Sequence, residues 1–327
     1  MTSPFLHHGG RLAEAARRFG GAPEDWIDLS TGLNPVPWPV DRAPAADWRA
    51  LPAPDALAAL EQAAARHFGA DPALVCAVPG SETALRLLAM VLGLPGRALV
   101  PAYRTHAEAF AASAPISFGE SPATCEAVVL ANPNNPDGIL RAPADVLDWH
   151  ARIASHGGWL IVDEAFADCH RESSVAAQVE EGTRLVVLRS FGKFFGLAGL
   201  RLGFVIAPPE LEQELRRLLG SWPLHAAALE VGPAAYADAP WIERTRRELP
   251  RRADALDRVL ARSGLAPQGN CPLFRYVTGP GARDLFTRLA RARILTRPFA
   301  EREDALRLGV PADPGQLERL EQALARG

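Results

Sequence analysis

The chain has 327 residues, of which 48% are hydrophobic, so it can bury one large core and a smaller second one. Its formal net charge is -3, and its 35 lysines and arginines are spread along the chain, which argues against a nucleic-acid-binding surface. The N-terminus lacks a signal-peptide pattern and no window approaches the ~18 apolar residues that span a bilayer, so we expect a cytoplasmic protein without membrane contact.

Between about residues 55 and 210, short runs rich in Val, Ile and Leu alternate with longer amphipathic stretches. This alternation is typical of a parallel sheet covered by helices. The predicted strands are 74–78, 97–101, 126–131, 159–163, 185–189 and 202–207. The predicted helices are 55–68, 81–93, 105–113, 143–156 and 209–220. Uneven strand spacing favours a doubly wound α/β domain over a closed barrel.

The pattern changes near residue 240. A charged helix is predicted over 241–263, with a kink or break at Pro250. Strands 272–277, 294–297 and 306–310 then alternate with helices 282–292 and 314–326, which indicates a small α+β domain. We expect an irregular N-terminal arm (1–40) that belongs to the small domain, a large domain (41–238) and a small C-terminal domain (239–327).

The four cysteines, Cys76, Cys125, Cys169 and Cys271, lie far apart and form no C-x-x-C pair. They predict neither a disulfide framework nor a zinc site, and we interpret them as buried thiols. No metal is expected.

Polar residues follow the predicted strands, where ligands bind in open α/β sheets. Strand 74–78 is followed by Gly80, Ser81 and Glu82, which open a helix whose N–H groups could hold a phosphate. Tyr103 follows strand 97–101 and could stack on a planar ligand. The next three strands precede the motifs N-P-N-N-P-D-G (132–138), D-E-A-F (163–166) and S-F-G-K-F-F-G-L-A-G-L-R-L-G (190–203).

These three motifs, in this order, resemble those of the class I and II aminotransferase family, fold-type-I enzymes that use pyridoxal 5′-phosphate (PLP). The resemblance covers nearly the whole chain. It implies a large doubly wound, mostly parallel sheet domain with a smaller α+β domain, and a homodimer with active sites near the interface.

The resemblance also implies the cofactor's ligands. Lys193 would bind PLP covalently and move protons, and Asp163 would keep the pyridine nitrogen protonated. Asn135 would donate to the 3′ oxygen and Tyr103 would stack on the ring. The phosphate would be held by Ser190, Arg201 and the N–H groups of residues 80–82.

Simpler interpretations exist for each residue taken alone. A lysine between aromatic residues is usually a surface group, and Asp163 could be a helix cap. Asn135 before a proline is an ordinary turn signal, and Tyr103 could cover a sheet edge. Burial of the preceding Leu-Ile-Val run favours a charged partner for Asp163, because an unpaired buried carboxylate is costly.

The sequence departs from the family pattern at two positions. Phe166 stands where many relatives have a tyrosine, so a phenol that helps Asn135 bind the 3′ oxygen is absent. Asp137 replaces the usual threonine of the N-P-x-N-P-T-G motif. Both differ from typical histidinol-phosphate aminotransferases.

Within the family, the motifs H-G-G (8–10) and I-D-L-S-T-G-L-N-P (27–35) resemble those of the L-threonine-O-3-phosphate decarboxylases of cobalamin biosynthesis. That branch makes (R)-1-amino-2-propanol O-2-phosphate from a phosphorylated amino acid. Histidinol-phosphate aminotransferase is the alternative. A non-catalytic regulator is disfavoured because Lys193 is present.

Five residues are candidates for substrate binding. The turn at His8 and Gly9 offers an imidazole and N–H groups to a phosphate, although a glycine-rich arm turn explains it as well. Asn34 belongs to the same N-terminal motif. Arg307 matches the family residue that grips the substrate carboxylate. Arg297 is a second anion ligand or a solvated strand-end charge.

Overall fold

The computed structural model describes residues 4–122 and 124–325. Two compact units divide the chain. Unit 1 comprises the described residues of Met1–Val36, Pro136–Ile139 and Arg244–Gly327. Unit 2 comprises Pro37–Asn135 and Leu140–Glu243, again where the structure describes them.

The N-terminal segment is more regular than predicted. It contains a helix and a short strand, α1 (Leu12–Phe19) and β1 (Ile27–Asp28). The ring of Phe19 lies 6.2 Å from that of Phe5 and 6.3 Å from that of Phe286. Apolar contacts within unit 1 thus stabilise a helix that its many alanines and arginines had obscured.

Unit 2 alternates strands and helices. In chain order its elements are α2 (Pro54–Phe68), β2 (Val75–Val78), α3 (Ser81–Leu92), β3 (Gly96–Leu99), α4 (Thr105–Glu108), β4 (Ser113–Ile116), β5 (Ala127–Ala131), α5 (Pro143–Ser155), β6 (Trp159–Asp163), β7 (Leu185–Ser190), α6 (Phe191–Phe194), β8 (Gly203–Ile206), α7 (Pro209–Leu219) and α8 (Ala226–Ala237).

A further helix, α9 (Ala239–Arg262), begins among the residues of unit 2 and continues without interruption through Pro250, where a kink or break was predicted. The later elements of unit 1 are β9 (Pro267–Gln268), β10 (Phe274–Thr278), α10 (Ala282–Arg291), β11 (Ile294–Leu295), β12 (Arg297–Pro298), β13 (Ala305–Gly309) and α11 (Pro314–Ala325).

Unit 2 is built on a seven-stranded sheet with the order β2-β8-β7-β6-β5-β3-β4. β8 runs antiparallel to both of its neighbours, and the other pairs are parallel. The α3 and α7 helices cover one face, where Val129, Ile161 and Val186 are fully buried. Val128 and Leu160 on the opposite face are also fully buried, so both faces are covered. The predicted α/β class with a mostly parallel sheet is confirmed.

The helix predicted over 105–113 is wrong in its second half. Only α4 is helical, and Ser113 begins β4, which pairs in parallel with β3. Unit 1 contains a four-stranded sheet with the order β12-β13-β10-β9, and β1 pairs with β11 in a separate two-stranded sheet. Within the described ranges no helix is both long and apolar enough to cross a membrane.

Candidate active site

The functional side chains of unit 2 follow from its sheet topology. Asp163 ends β6 and Ser190 ends β7, while Gly203 pairs with both Ser190 and Val78. Because β2, β5, β6 and β7 run in the same direction, their carboxyl ends share one edge of the sheet. The residues predicted to bind the cofactor therefore lie along this edge.

The start of α3 forms an anion cradle. Gly80 is the N-cap residue, and its φ of 96° favours glycine. A Cβ added to Gly80 would lie 2.7 Å from Arg201 Nη2, and one on Gly203 would lie 2.7 Å from the Ser81 nitrogen. The Arg201 guanidinium is thus packed against a helix N-terminus, an arrangement that suits a phosphate.

Arg201 itself has a φ of 49°, which is uncommon for a residue with a side chain. Such a conformation persists only where the surrounding structure imposes it, and such positions cluster at functional sites. The backbone conformation is consistent with a fixed position for this guanidinium.

Two groups hold the carboxylate of Asp163. Its Oδ2 lies 3.0 Å from Nε2 of His106, and its Oδ1 accepts a hydrogen bond from the Ala165 nitrogen at 3.1 Å. The imidazole of His106 is buried, with 1% of its side chain exposed. Sequence reasoning missed His106, although its position three residues after Tyr103 was a signal that could have been used.

Tyr103 lies beside this pair. Its hydroxyl donates to Glu82 Oε2 at 3.0 Å, and its ring meets that of His106 edge-on, with centroids 5.7 Å apart. Burial raises the pKa of the Tyr103 phenol, and the nearby Glu82 carboxylate raises it further. The phenol therefore stays protonated and can act as a donor at neutral pH.

Lys193 lies in α6, between aromatic side chains. Phe191 and Phe195 are fully buried and stack with centroids 4.4 Å apart, and Lys193 Nζ lies 5.9 Å from the Phe166 centroid. The amine thus lies beside an aromatic ring, and the aromatic side chains around α6 fix where the lysine starts. Asn135 is half-buried, and its neighbour Asn134 donates to the Pro101 carbonyl at 3.0 Å.

A buried ionic network lies next to these residues in sequence. Arg189 Nη1 donates to Glu164 Oε2 at 2.8 Å, and Nη2 donates to Asp168. Burial raises the pKa of Glu164, while the Arg189 cation opposes that change. His67 Nε2 lies 3.0 Å from Asp168 Oδ1. Sequence analysis did not find this network. The usable signal was a charged residue at the end of each of two buried strands, Glu164 after β6 and Arg189 in β7.

Arg307, in unit 1, lies in β13 between two partner strands. It pairs with Tyr276 of β10 and with Arg297 of β12, so the three side chains share one face of the sheet. Its Nη2 donates to the Ser30 carbonyl at 3.2 Å, and its guanidinium lies 4.9 Å from the Phe274 centroid. The guanidinium is buried, and the Ser30 carbonyl and the Phe274 ring position it.

Arg297 has a structural task in addition to any binding role. Its Nη1 donates to the Phe5 carbonyl at 2.7 Å and its Nη2 to the His7 carbonyl at 2.6 Å. It therefore fixes the segment that leads to His8. These contacts favour a role in anchoring the arm, and a direct contact between Arg297 and substrate stays a prediction.

The other three candidates of unit 1 differ in exposure. His8 is exposed and Gly9 is half-buried, while Asn34 is buried and its Oδ1 accepts from the Val36 nitrogen at 3.0 Å. Asn34 thus shapes its own turn. Their contact with substrate stays a prediction.

The residues of unit 2 suit PLP. They combine a cationic phosphate cradle, a carboxylate for the pyridine nitrogen and a lysine in apolar surroundings. The Nδ1 atom of His106 is buried without a hydrogen bond among the residues that the structure describes. When bound, PLP supplies an electron sink that stabilises negative charge at the substrate's Cα.

Comparisons with known proteins agree with this assignment. The family model described as aminotransferase class I and II matches residues 102–324. The chain is 41% identical to a threonine-phosphate decarboxylase from Pseudomonas aeruginosa, over 98% of this chain and 97% of that protein. It is 39% identical to one from Sinorhizobium sp., over 100% and 99%. A histidinol-phosphate aminotransferase from Granulibacter bethesdensis is 31% identical over 58% of this chain and 56% of that protein.

Solved structures match the fold. The histidinol-phosphate aminotransferase from Sinorhizobium meliloti in complex with PLP has a TM-score of 0.82 at 20% identity, covering 99% of this chain and 95% of that one. The L-threonine-O-3-phosphate decarboxylase from Porphyromonas gingivalis has a TM-score of 0.74 at 19% identity, covering 92% and 98%. The motifs, the fold and these matches agree, and the chain belongs to the class I and II aminotransferase family, the fold-type-I enzymes that use PLP.

Proposed function

We propose that the chain is a PLP-dependent carboxy-lyase that converts L-threonine O-3-phosphate into (R)-1-amino-2-propanol O-2-phosphate and carbon dioxide. The single observation that carries this proposal is the full-length identity of 39–41% to two threonine-phosphate decarboxylases. The histidinol-phosphate aminotransferase from Granulibacter bethesdensis is more distant, at 31% identity. The product's use in cobalamin biosynthesis is part of the proposal.

The cofactor roles fall to residues of unit 2. The Lys193 amine would hold PLP covalently before substrate binds, and as a free amine it would return a proton to Cα after carbon dioxide has left. The Asp163 carboxylate, oriented by His106, holds the proton of the pyridine nitrogen. Arg201 and Ser190, with the N–H groups of residues 80–82, bind the phosphate. Asn135 donates to the 3′ oxygen, and Tyr103 supports the ring.

The substrate roles fall to residues of unit 1. Arg307 binds the carboxylate, for which a guanidinium offers a two-pronged donor. The His8-Gly9 turn and Asn34 bind the phosphate ester, with Arg297 holding the turn in place. Two anchored anions orient the bond that breaks, and a substrate without the phosphate loses its contacts with the turn and Asn34. Unphosphorylated threonine should therefore be a poor substrate.

The test is to incubate the holoenzyme with L-threonine O-3-phosphate, and separately with histidinol phosphate plus 2-oxoglutarate. We expect carbon dioxide from the first mixture and no glutamate from the second. Glutamate from histidinol phosphate, without carbon dioxide from threonine phosphate, would transfer the assignment to the aminotransferase.

We further propose a homodimer, as the family resemblance implies, and a cytoplasmic location. Several apolar side chains of unit 2 support it because they are exposed, including Trp48 at 74% and Trp222 at 57%. Exposed tryptophans of this kind are enriched at protein interfaces. Sedimentation should give twice the chain mass of 35.1 kDa, and a fully active monomer would contradict the proposal.

A further inference from the structure

Ser30 is a hub within unit 1. Its hydroxyl accepts a hydrogen bond from the Gly10 nitrogen at 2.8 Å and donates to Asp28 Oδ1 at 2.5 Å. Its backbone nitrogen donates to the same oxygen at 2.8 Å, and its carbonyl accepts from Arg307 Nη2 at 3.2 Å. One buried residue, 1% exposed, thus contacts both the glycine turn and the guanidinium of β13.

The backbone of the turn is packed tightly against this hub. A Cβ added to Gly9 would lie 2.4 Å from the Ser30 carbonyl oxygen and 2.9 Å from its hydroxyl. Such distances leave no room for a side chain, so Gly9 is required by this close approach.

Asp28 fixes the direction of the serine hydroxyl. An ionised carboxylate can only accept, so the hydroxyl proton points to Asp28 and its lone pairs remain available to Gly10. Asp28 is held by its own strand, because β1 pairs with β11 through Asp28 and Leu295. The hub is therefore anchored in the sheet structure of unit 1.

We propose that Ser30 is a positioning residue that sets the spacing between the His8-Gly9-Gly10 turn and Arg307, and so selects substrates whose phosphate and carboxylate are separated by that spacing. This inference rests on the proposed function. Ser30 itself need not contact the substrate. Its hydroxyl holds the turn through the Gly10 nitrogen, and its carbonyl holds the Arg307 guanidinium.

The test compares Ser30→Ala with wild type. This change removes the hydroxyl, which holds the turn, and keeps the carbonyl, which holds Arg307. Steady-state assays of carbon dioxide release by the holoenzyme should show an about tenfold higher KM for L-threonine O-3-phosphate, as expected for losing hydrogen bonds of ordinary strength. The KM for L-threonine should change by less than about twofold, so the preference for the phosphorylated compound falls about tenfold.

Two further variants serve as controls. Ser173→Ala removes another buried serine hydroxyl, which donates to the His170 carbonyl at 2.7 Å in unit 2, and it should leave both KM values unchanged. If Ser30→Ala does not fold, Asp28→Asn tests the same hub, because it keeps an oxygen acceptor but loses the charge. Asp28→Asn should lower the same preference by a smaller factor.

The outcomes separate the two proposals. If wild type decarboxylates threonine phosphate and Ser30→Ala keeps its preference for the phosphorylated compound, Ser30 has no positioning role. Equal losses for both compounds would indicate a general structural role and would also overturn the inference. A wild-type enzyme that releases no carbon dioxide from threonine phosphate removes the proposed function, and this inference with it.

Discussion

Replacing His106 by Phe should lower kcat because it removes the side-chain donor that orients Asp163. An aromatic ring that can meet Tyr103 edge-on is kept, and the lost bond spans 3.0 Å to a carboxylate oxygen. A hydrogen bond to a charged group contributes about 1.5–3 kcal/mol. If all of it acts in the transition state, kcat falls about 10- to 150-fold.

The assay measures carbon dioxide release together with the absorption spectrum of bound cofactor. His67→Phe is a matched control, since His67 also lies 3.0 Å from an aspartate, Asp168, outside the site. It should lower stability and leave kcat nearly unchanged. A His106→Phe enzyme with wild-type kcat and spectrum would refute the orienting role of His106.

Three other variants test the site and its support. Lys193→Ala should abolish turnover and the borohydride-fixed label on the chain, and normal activity in this variant would remove the whole assignment. Asp163→Asn should lower kcat more than cofactor affinity, as judged by PLP titration, and near-wild-type rates would exclude its pairing with the pyridine nitrogen. Arg189→Met should lower the free energy of unfolding in urea by about 3–5 kcal/mol, because Glu164 and Asp168 lose their buried cation. A loss below about 1 kcal/mol would contradict this stabilising role of Arg189.

The sequence predicted the central sheet well because its strands are buried on both faces. The strand predicted over 159–163 coincides with β6, and the one over 185–189 is extended by a single residue in β7. A continuous apolar run flanked by polar residues identifies such strands without knowledge of their neighbours. The position of Asp163 and Ser190 at one sheet edge followed directly.

Prediction failed where long-range contacts decide the structure. The segment after α4 becomes β4 because it pairs with β3, and its sequence, Ser113 to Ile116, has only one buried residue. The ionic partners of Arg189 come from positions 21 and 25 residues away. Neither distance nor orientation of such partners is encoded in a local pattern.

The ends of β6 and β7 carry two adjacent pairs, Asp163-Glu164 and Arg189-Ser190. Successive residues of a strand point to opposite sides, so Asp163 can serve the site while Glu164 points into the protein. The buried ion pair between Glu164 and Arg189 then joins the two strand ends that carry Asp163 and Ser190.

A buried pair of this kind adds little net stability compared with apolar residues, but breaking it is costly. We therefore infer that the Glu164–Arg189 ion pair fixes the relative position of the two strand ends that carry Asp163 and Ser190. If so, Arg189→Met should lower cofactor affinity as well as stability, whereas a variant that was destabilised but bound PLP normally would limit the network to a structural role.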